Sequence, residues 1–289
     1  METLASSRGS KASGFFEIAR IPNCIMMGLA VIIGEFMSLG TAVPIYSVVV
    51  GFLVGFFLVA GSMAMNDILD TGIDRINSPK RPIPSGRVSK TEATAFATIT
   101  LALGLSLAFA LSVVNLVIAV LAVSLMLYYN RFGKKTGLPG NAVVSANLAI
   151  PFIFGGAIGG ISNTLYIFAL LAFLAGMGRE IIKGMADIEG DSKRVVRTLA
   201  VSKGLGTAAK TGALFLVAAV LLSVIPIAFG MVSWLYTPFV LVCDLGFLYS
   251  AYSIVRDPSP GNALRSKNQA LVWMLLGLIA FIAGGFTIG

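Results

Sequence analysis

The amino-acid sequence predicts an all-α, polytopic membrane protein of nine transmembrane helices. Three observations carry that prediction. The 289-residue chain is 57% hydrophobic and only 12% charged, against roughly 25% charged residues in a soluble domain. Its mean hydropathy is +0.91, and apolar runs reaching the roughly 20 residues of a bilayer crossing recur along its length. The basic residues, finally, fall only in alternate connections between those runs.

Reading apolar runs against polar punctuation gives spans at 21–39, 45–67, 93–111, 115–129, 142–160, 165–182, 208–229, 234–255 and 269–288. The break at 112–115 is weak, but the stretch from 91 to 130 is long enough for two crossings and is divided there. Arg8, Lys11 and Arg20 precede the first span. Arg75, Lys80, Arg81, Arg87 and Lys90 follow the second, and Arg131, Lys134 and Lys135 follow the fourth. Arg179, Lys183, Lys193, Arg194, Arg197, Lys203 and Lys210 surround the connection between six and seven, and Arg256, Arg265 and Lys267 lie between eight and nine. These are all 21 lysines and arginines. The positive-inside rule therefore predicts a multi-pass protein of the cell membrane, with its N-terminus and long loops cytoplasmic. The glycine pairs Gly51/Gly55 and Gly155/Gly159 read as close helix packing.

Several function classes are disfavoured. The formal net charge is +8, yet no aqueous domain carries a basic helix with interleaved aromatics, so no nucleic-acid partner is expected. There is no histidine, which removes the commonest general base and transition-metal ligand. Cys24 and Cys243 both lie in apolar runs without metal-ligand spacing. The opening residues METLASSRGSKASG are polar and hold neither an apolar signal core nor a transit-like extension.

Chemistry concentrates where the second span meets its loop. Asn66, Asp67, Asp70 and Asp74 bring three of the chain's 13 acids into eight positions. On a continuing helix Asn66, Asp70 and Asp74 share a stripe ~100° wide and ~12 Å long, with Asp67 at its edge. Carboxylates gathered so tightly need positive charge among them, and the basic loop RINSPKRPIPSG follows at once. A second cluster closes the sixth span: Glu180 and Lys183, then Asp187 and Asp191 one turn apart, with Glu189 turned away. Either cluster alone could be a solvated helix end. Together, at the same membrane face, they favour function, and their hard oxygen ligands suit Mg²⁺ held jointly by carboxylates and substrate phosphates. Arginine and lysine would take the outer phosphate oxygens. No twelve-residue Ca²⁺ loop is present. A secondary transporter is the rival class; it would use Glu35 and Asp244, the acids well inside spans, with Pro151 and Pro226 marking helix breaks. Asp244 could equally pair with a tyrosine or serine in the bundle, or line an acceptor cavity.

At these residues the sequence resembles the UbiA superfamily of intramembrane prenyltransferases. The N-D-x-x-D-x-x-x-D motif reads as Asn66, Asp67, Asp70 and Asp74, followed by SPKRPIPSG, and D-x-x-x-D reads as Asp187 and Asp191. The resemblance runs over nearly the whole chain and implies one domain, 1–289: a helical bundle around a central cavity with a cytoplasmic cap. It implies two Mg²⁺ ions on the two motifs, an isoprenyl diphosphate with its tail in the cavity, and attack of an acceptor on the ionised allylic carbon. It makes Asp70, Asp74, Asp187 and Asp191 catalytic, with Asn66 and Asp67 joining them as metal ligands. Substrate contacts are expected from Arg20 and Asn23 (R-x-x-N), from Asn66, Arg75, Lys80, Arg81 and Lys183, and from Lys134 with Tyr128 or Tyr129. The segment REIIK–DIEGD–TL is most similar to the archaeal digeranylgeranylglyceryl phosphate synthase branch, which implies geranylgeranyl diphosphate as donor and geranylgeranylglyceryl phosphate as lipid acceptor. Surplus cations such as Lys193, Arg194 and Arg197 would suit a phosphorylated acceptor. An aromatic acceptor such as 4-hydroxybenzoate is the alternative.

Overall fold

A computed structural model describes residues 10–193 and 196–285. The expectations for Arg8, Arg194 and the end of the ninth span, 286–288, fall outside them. Among the described residues every regular element is helical, and nine helices are long and apolar enough to cross a membrane. In chain order the helices are α1 (Lys11–Ala19), α2 (Ile21–Leu39), α3 (Ile45–Asn77), α4 (Lys90–Leu111), α5 (Val113–Arg131) and α6 (Leu138–Gly156). They continue with α7 (Asn163–Ala186), α8 (Ile188–Lys193), α9 (Leu199–Lys203), α10 (Leu205–Ala228), α11 (Tyr236–Arg256) and α12 (Pro260–Gly285).

Local chemistry sets the helix ends. Ser89 and Glu92 form a reciprocal capping box at the start of α4, satisfying two amide donors that the first turn leaves open. The weak break between the third and fourth spans is real: Ser112 is extended (φ −169°, ψ 162°) and its hydroxyl accepts from the Asn115 N–H at 3.0 Å. Gly137 (φ 69°) and Gly204 (φ 84°) occupy left-handed backbone just before α6 and α10, which glycine adopts without steric cost.

Two spans are longer than their apolar runs. Helix α3 continues ten residues past position 67 to Asn77, and α12 begins nine residues before 269 at Pro260. Span five has the expected length but lies four residues earlier, since α6 runs from Leu138 to Gly156 rather than from 142 to 160. Backbone hydrogen bonding, not hydropathy, decides where a helix stops, and polar faces extend both helices beyond the apolar slab.

The bundle packs α3 between α2 and α4, α7 between α6 and α10, and α11 against α12. Small residues permit the closest approaches: a Cβ on Gly55 would stand 3.1 Å from the Gly28 backbone, and one on Gly155 would press on the Val31 carbonyl. One core gathers Met177, Ile181, Ile182 and Met185 of α7 with Leu216, Phe247 and Ile254; a second holds Phe152, Phe168, Tyr236 and Phe281. Phe168 and Phe281 stack at 3.8 Å between centroids. Leu214, Leu221, Leu245 and Phe109 project outward from the bundle, as lipid-facing positions require. The short helices α8 and α9 fold back at the end of α7.

Candidate active site

A cavity of about 1400 Å³ opens inside the bundle, and both acidic motifs line it. Because α3 runs unbroken through the first motif, Asn66, Asp70 and Asp74 all face this space from one stripe. Asp67 stands at the edge of that stripe, buried against cations. Its Oδ1 accepts from Arg20 at 2.9 Å and lies 3.7 Å from Arg81. Arg81 also donates to Asp74 Oδ2 at 2.7 Å, and Lys134 donates to Asp70 Oδ2 at 2.6 Å. Three carboxylates thus meet three cations. Burial works against the charge on Arg81, but its hydrogen bond to Asp74 and the charges of Asp74, Asp67 and Asp70 prevail and raise its pKa.

Arg20 is the one described non-glycine residue with positive φ (53°), at the corner between α1 and α2. Left-handed backbone costs an L-residue roughly 1–2 kcal/mol. Here the corner turns the guanidinium into the cavity, where Asp67 and the Met63 sulfur (3.4 Å) hold it. A snorkelling arginine would point the other way. Asn23, one turn on, lines the same wall.

The second motif sits at the α7–α8 corner. Asp187 caps α7, with its N–H bonded to the Lys183 carbonyl at 3.0 Å, and the Asp191 N–H bonds in turn to the Asp187 carbonyl at 3.0 Å. Both aspartates line the cavity and Glu189 does not. Lys267 of α12 reaches Asp187 Oδ1 at 3.4 Å. Lys183 lines the cavity and bonds to Glu180 at 3.1 Å, while Arg179 bonds to the same carboxylate at 2.6 Å. Of the two tyrosines, Tyr129 lines the cavity, within electrostatic reach of Lys183, Glu180, Asp70 and Asp191. Tyr128 packs on Phe132 at the exposed side.

Arg75 and Lys80 are exposed and stand outside the cavity wall; Lys80 instead offers its carbonyl to Arg87 at 2.9 Å. Conversely, Arg179 and Asn130 were not singled out as site residues by the sequence, and Glu180 only as a member of the second acidic cluster, yet all three line the cavity. Asn130 is 8% exposed and neither of its amide atoms has a partner. Its only signal is an amide at the end of an apolar run, which any helix end can show.

Among the described residues no three acidic side chains converge on one point. Each wall instead offers spaced carboxylates with cations beside them. That donor set fits a Mg²⁺ ion completed by phosphate oxygens better than a self-sufficient metal cage.

The acids inside the spans have quieter settings. Asp244 accepts from Ser223 at 2.7 Å in a small, mostly apolar side pocket of about 90 Å³. That pocket shares Met26, Met27, Leu148 and Met274 with the main cavity. Glu35 is fully buried, neither carboxylate oxygen has a partner, and it lies against Gly51 of α3. Pro151 and Pro226 sit inside continuous helices, so the broken helices of the transporter reading are absent at both.

Comparison with known proteins agrees with this geometry. The chain is 35% identical over 269 residues to the digeranylgeranylglyceryl phosphate synthase of Methanopyrus kandleri, covering 93% of this chain and 98% of that one. A solved structure of digeranylgeranylglyceryl phosphate synthase in membranes superposes with a TM-score of 0.80 at 32% identity, covering 96% of this chain and 99% of that one. The fold is shared more distantly with a UbiA homolog from Archaeoglobus fulgidus bound to GPP and Mg²⁺ (TM-score 0.68, 18% identity, 93% and 99% covered). The family model for UbiA prenyltransferases matches residues 27–279. With nine apolar helices enclosing two facing aspartate motifs, this chain belongs to the UbiA prenyltransferase family.

Proposed function

We propose that the protein transfers a geranylgeranyl group from its diphosphate to the free hydroxyl of geranylgeranylglyceryl phosphate, the ether-forming step implied by the names of its relatives. The observation that carries this reading is the large cavity, with carboxylates and cations gathered at one end and an apolar remainder lined by Val54, Leu58, Val123, Ile150 and Phe154. A charged head and an isoprenoid tail need that division.

Asp70, Asp74, Asp187 and Asp191, with Asn66 and Asp67 beside them, would hold Mg²⁺ together with diphosphate oxygens. When bound, the metal supplies Lewis acidity and charge neutralisation on the leaving group. The chain's own residues do the rest. Arg20, Arg81 and Lys134 line the acidic wall as preorganised cations for the departing diphosphate, where charge develops as the allylic C–O bond breaks. Asn23, Tyr129 and Lys183 are placed to orient the head group. The apolar wall excludes water from the allylic cation until the acceptor hydroxyl oxygen closes the new C–O bond, its proton leaving with the released diphosphate. Arg75, exposed in the last turn of α3, and Lys80, exposed in the loop that follows, would serve the approach of the anionic donor rather than its bound state. The basic loops would face the cytoplasm across the cell membrane, where a phosphorylated donor is supplied.

Purified protein supplied with Mg²⁺, geranylgeranyl diphosphate and either geranylgeranylglyceryl phosphate or 4-hydroxybenzoate tests the proposal. Product from the glyceryl phosphate, abolished by EDTA and restored by Mg²⁺, is expected. Product from the aromatic acceptor alone would overturn the ether-lipid reading, and turnover undiminished by EDTA would overturn the metal requirement.

A further inference from the structure

We infer that Arg179 and Lys183, bridged by Glu180, form a second anion site inside the cavity, and that this site takes the phosphate monoester of the acceptor. The inference rests on the proposed reaction and adds where its second substrate is held.

The first argument is spacing. Arg179, Lys183, Asp187 and Asp191 follow one another at intervals of four and all line the cavity, so they form a single stripe. The stripe is polarised. Its outer end at the α7–α8 corner is acidic; its inner end, about 6 Å and 12 Å before Asp187 at 1.5 Å rise per residue, is cationic. A diphosphate held at the outer end points its allylic carbon inward along this wall. An acceptor hydroxyl that reaches that carbon carries its phosphate a few bonds away, within the one to two turns that separate the two ends.

The second argument is charge. On the α3 wall, Asp67, Asp70 and Asp74 are matched by Arg20, Arg81 and Lys134. On α7, two cations share one carboxylate: Arg179 Nη1 lies 2.6 Å from Glu180 Oε1, and Lys183 Nζ lies 3.1 Å from Glu180 Oε2. Glu180 is 5% exposed. Arg179 and Lys183 themselves are 21% and 41% exposed and line the cavity, so the surplus positive charge is presented to the ligand space, where an anion would complete the pairing. The guanidinium also has hydrogen-bonding capacity left over, since Arg179 Nε is buried without a partner. Arginine's planar fork suits phosphate oxygens, and Glu180 fixes both cations before the ligand arrives. Glu180 is therefore a positioning residue, and Arg179 and Lys183 are the contacts.

The test compares acceptors in the full-length enzyme. With saturating geranylgeranyl diphosphate and Mg²⁺, Arg179→Met should raise KM for geranylgeranylglyceryl phosphate at least tenfold. Its use of the dephosphorylated acceptor, geranylgeranylglycerol, should be unchanged, and so should equilibrium binding of the donor. Glu180→Gln should raise the same KM by a smaller factor. Arg179→Gln provides the same comparison should Arg179→Met fail to fold, and Arg179→Lys should recover part of the loss. An equal fall in donor affinity would assign the pair to the diphosphate, and an unchanged KM would overturn the site outright. Wild-type protein inactive on geranylgeranylglyceryl phosphate would instead overturn the proposed reaction, which keeps the two failures distinct.

Discussion

Lys134 Nζ lies 2.6 Å from Asp70 Oδ2, so a lysine holds the carboxylate at the centre of the first motif. Both side chains are about one-quarter exposed, to the cavity. With Asp70 in its proposed role as a metal ligand, a metal ion and this ammonium would compete for one oxygen, and Lys134 would be free to pass from the carboxylate to a phosphate. Lys134→Met should then have two opposed effects. Mn²⁺ should bind more tightly in the absence of donor, because its competitor is gone. Turnover should fall by about 10²–10³, the usual cost of losing a preorganised charge on a leaving group. Mn²⁺ titration followed by electron paramagnetic resonance, alongside steady-state rates, checks both; weaker Mn²⁺ binding in the variant would contradict the exchange.

Arg20 separates backbone strain from function. Its φ of 53° is unfavourable for any side chain with a Cβ, while its guanidinium holds Asp67 at 2.9 Å. Arg20→Gly removes both at once, so relief of strain of roughly 1–2 kcal/mol offsets the lost ion pair. The melting temperature in detergent should stay near that of wild type while turnover drops by about 10². Arg20→Ala, which keeps the strain, should be less stable than Arg20→Gly and equally impaired. Equal stability of the two variants would show that the corner is not strained.

Much of this was legible in the sequence. Apolar length and basic-loop alternation are one-dimensional signals, so nine spans and a single basic side could be read directly. The aspartate motifs were legible because a four-residue interval survives as one stripe on any helix. Other features were not. Hydropathy marks lipid contact, not hydrogen-bond continuity, and so missed the polar end of α3 and the polar start of α12. Tyr128 and Tyr129 are adjacent in sequence but point about 100° apart on a helix, and only packing shows which one faces inward. Arg179 and Glu180 look like an interfacial pair until the cavity beneath them is seen. Arg75 ends up in the last turn of α3 and Lys80 shares a loop with Arg81, yet of the three it is Arg81 that folds back onto the aspartates.

Asn130 gives a contrast between stability and activity. Its amide is buried in the cavity wall with neither atom bonded, and leaving a buried polar group unsatisfied costs about 1–3 kcal/mol. Asn130→Leu removes the unmet polar atoms at similar volume, so thermal stability should hold or rise. If the amide is kept for a substrate group, turnover on the phosphorylated acceptor should fall by about 10-fold or more, the effect of one lost neutral hydrogen bond to substrate. Unchanged kinetics in a more stable protein would make Asn130 a packing defect rather than a site residue.

Glu35 and Gly51 are coupled by contact, away from the acidic end of the cavity. Glu35 is fully buried on α2 with neither oxygen partnered, and a Cβ placed on Gly51 of α3 would collide with its carboxyl group. Gly51→Ala alone should destabilise the α2–α3 pair by about 1–3 kcal/mol through overpacking. Glu35→Ala alone should be mild or even stabilising, since it removes an unpartnered buried carboxyl while leaving space behind. In the double variant the new methyl group occupies part of that space, so the two changes should interact by about 0.5–3 kcal/mol in the favourable direction. Thermal unfolding in detergent of the four proteins completes the cycle, with turnover as a second readout. Activity loss in Glu35→Ala without loss of stability would give this carboxyl a part in the reaction that its distance from the aspartate motifs along α2 and α3 argues against. Strict additivity would show that α2 and α3 separate to accept the methyl group, and that the glycine is not required by Glu35.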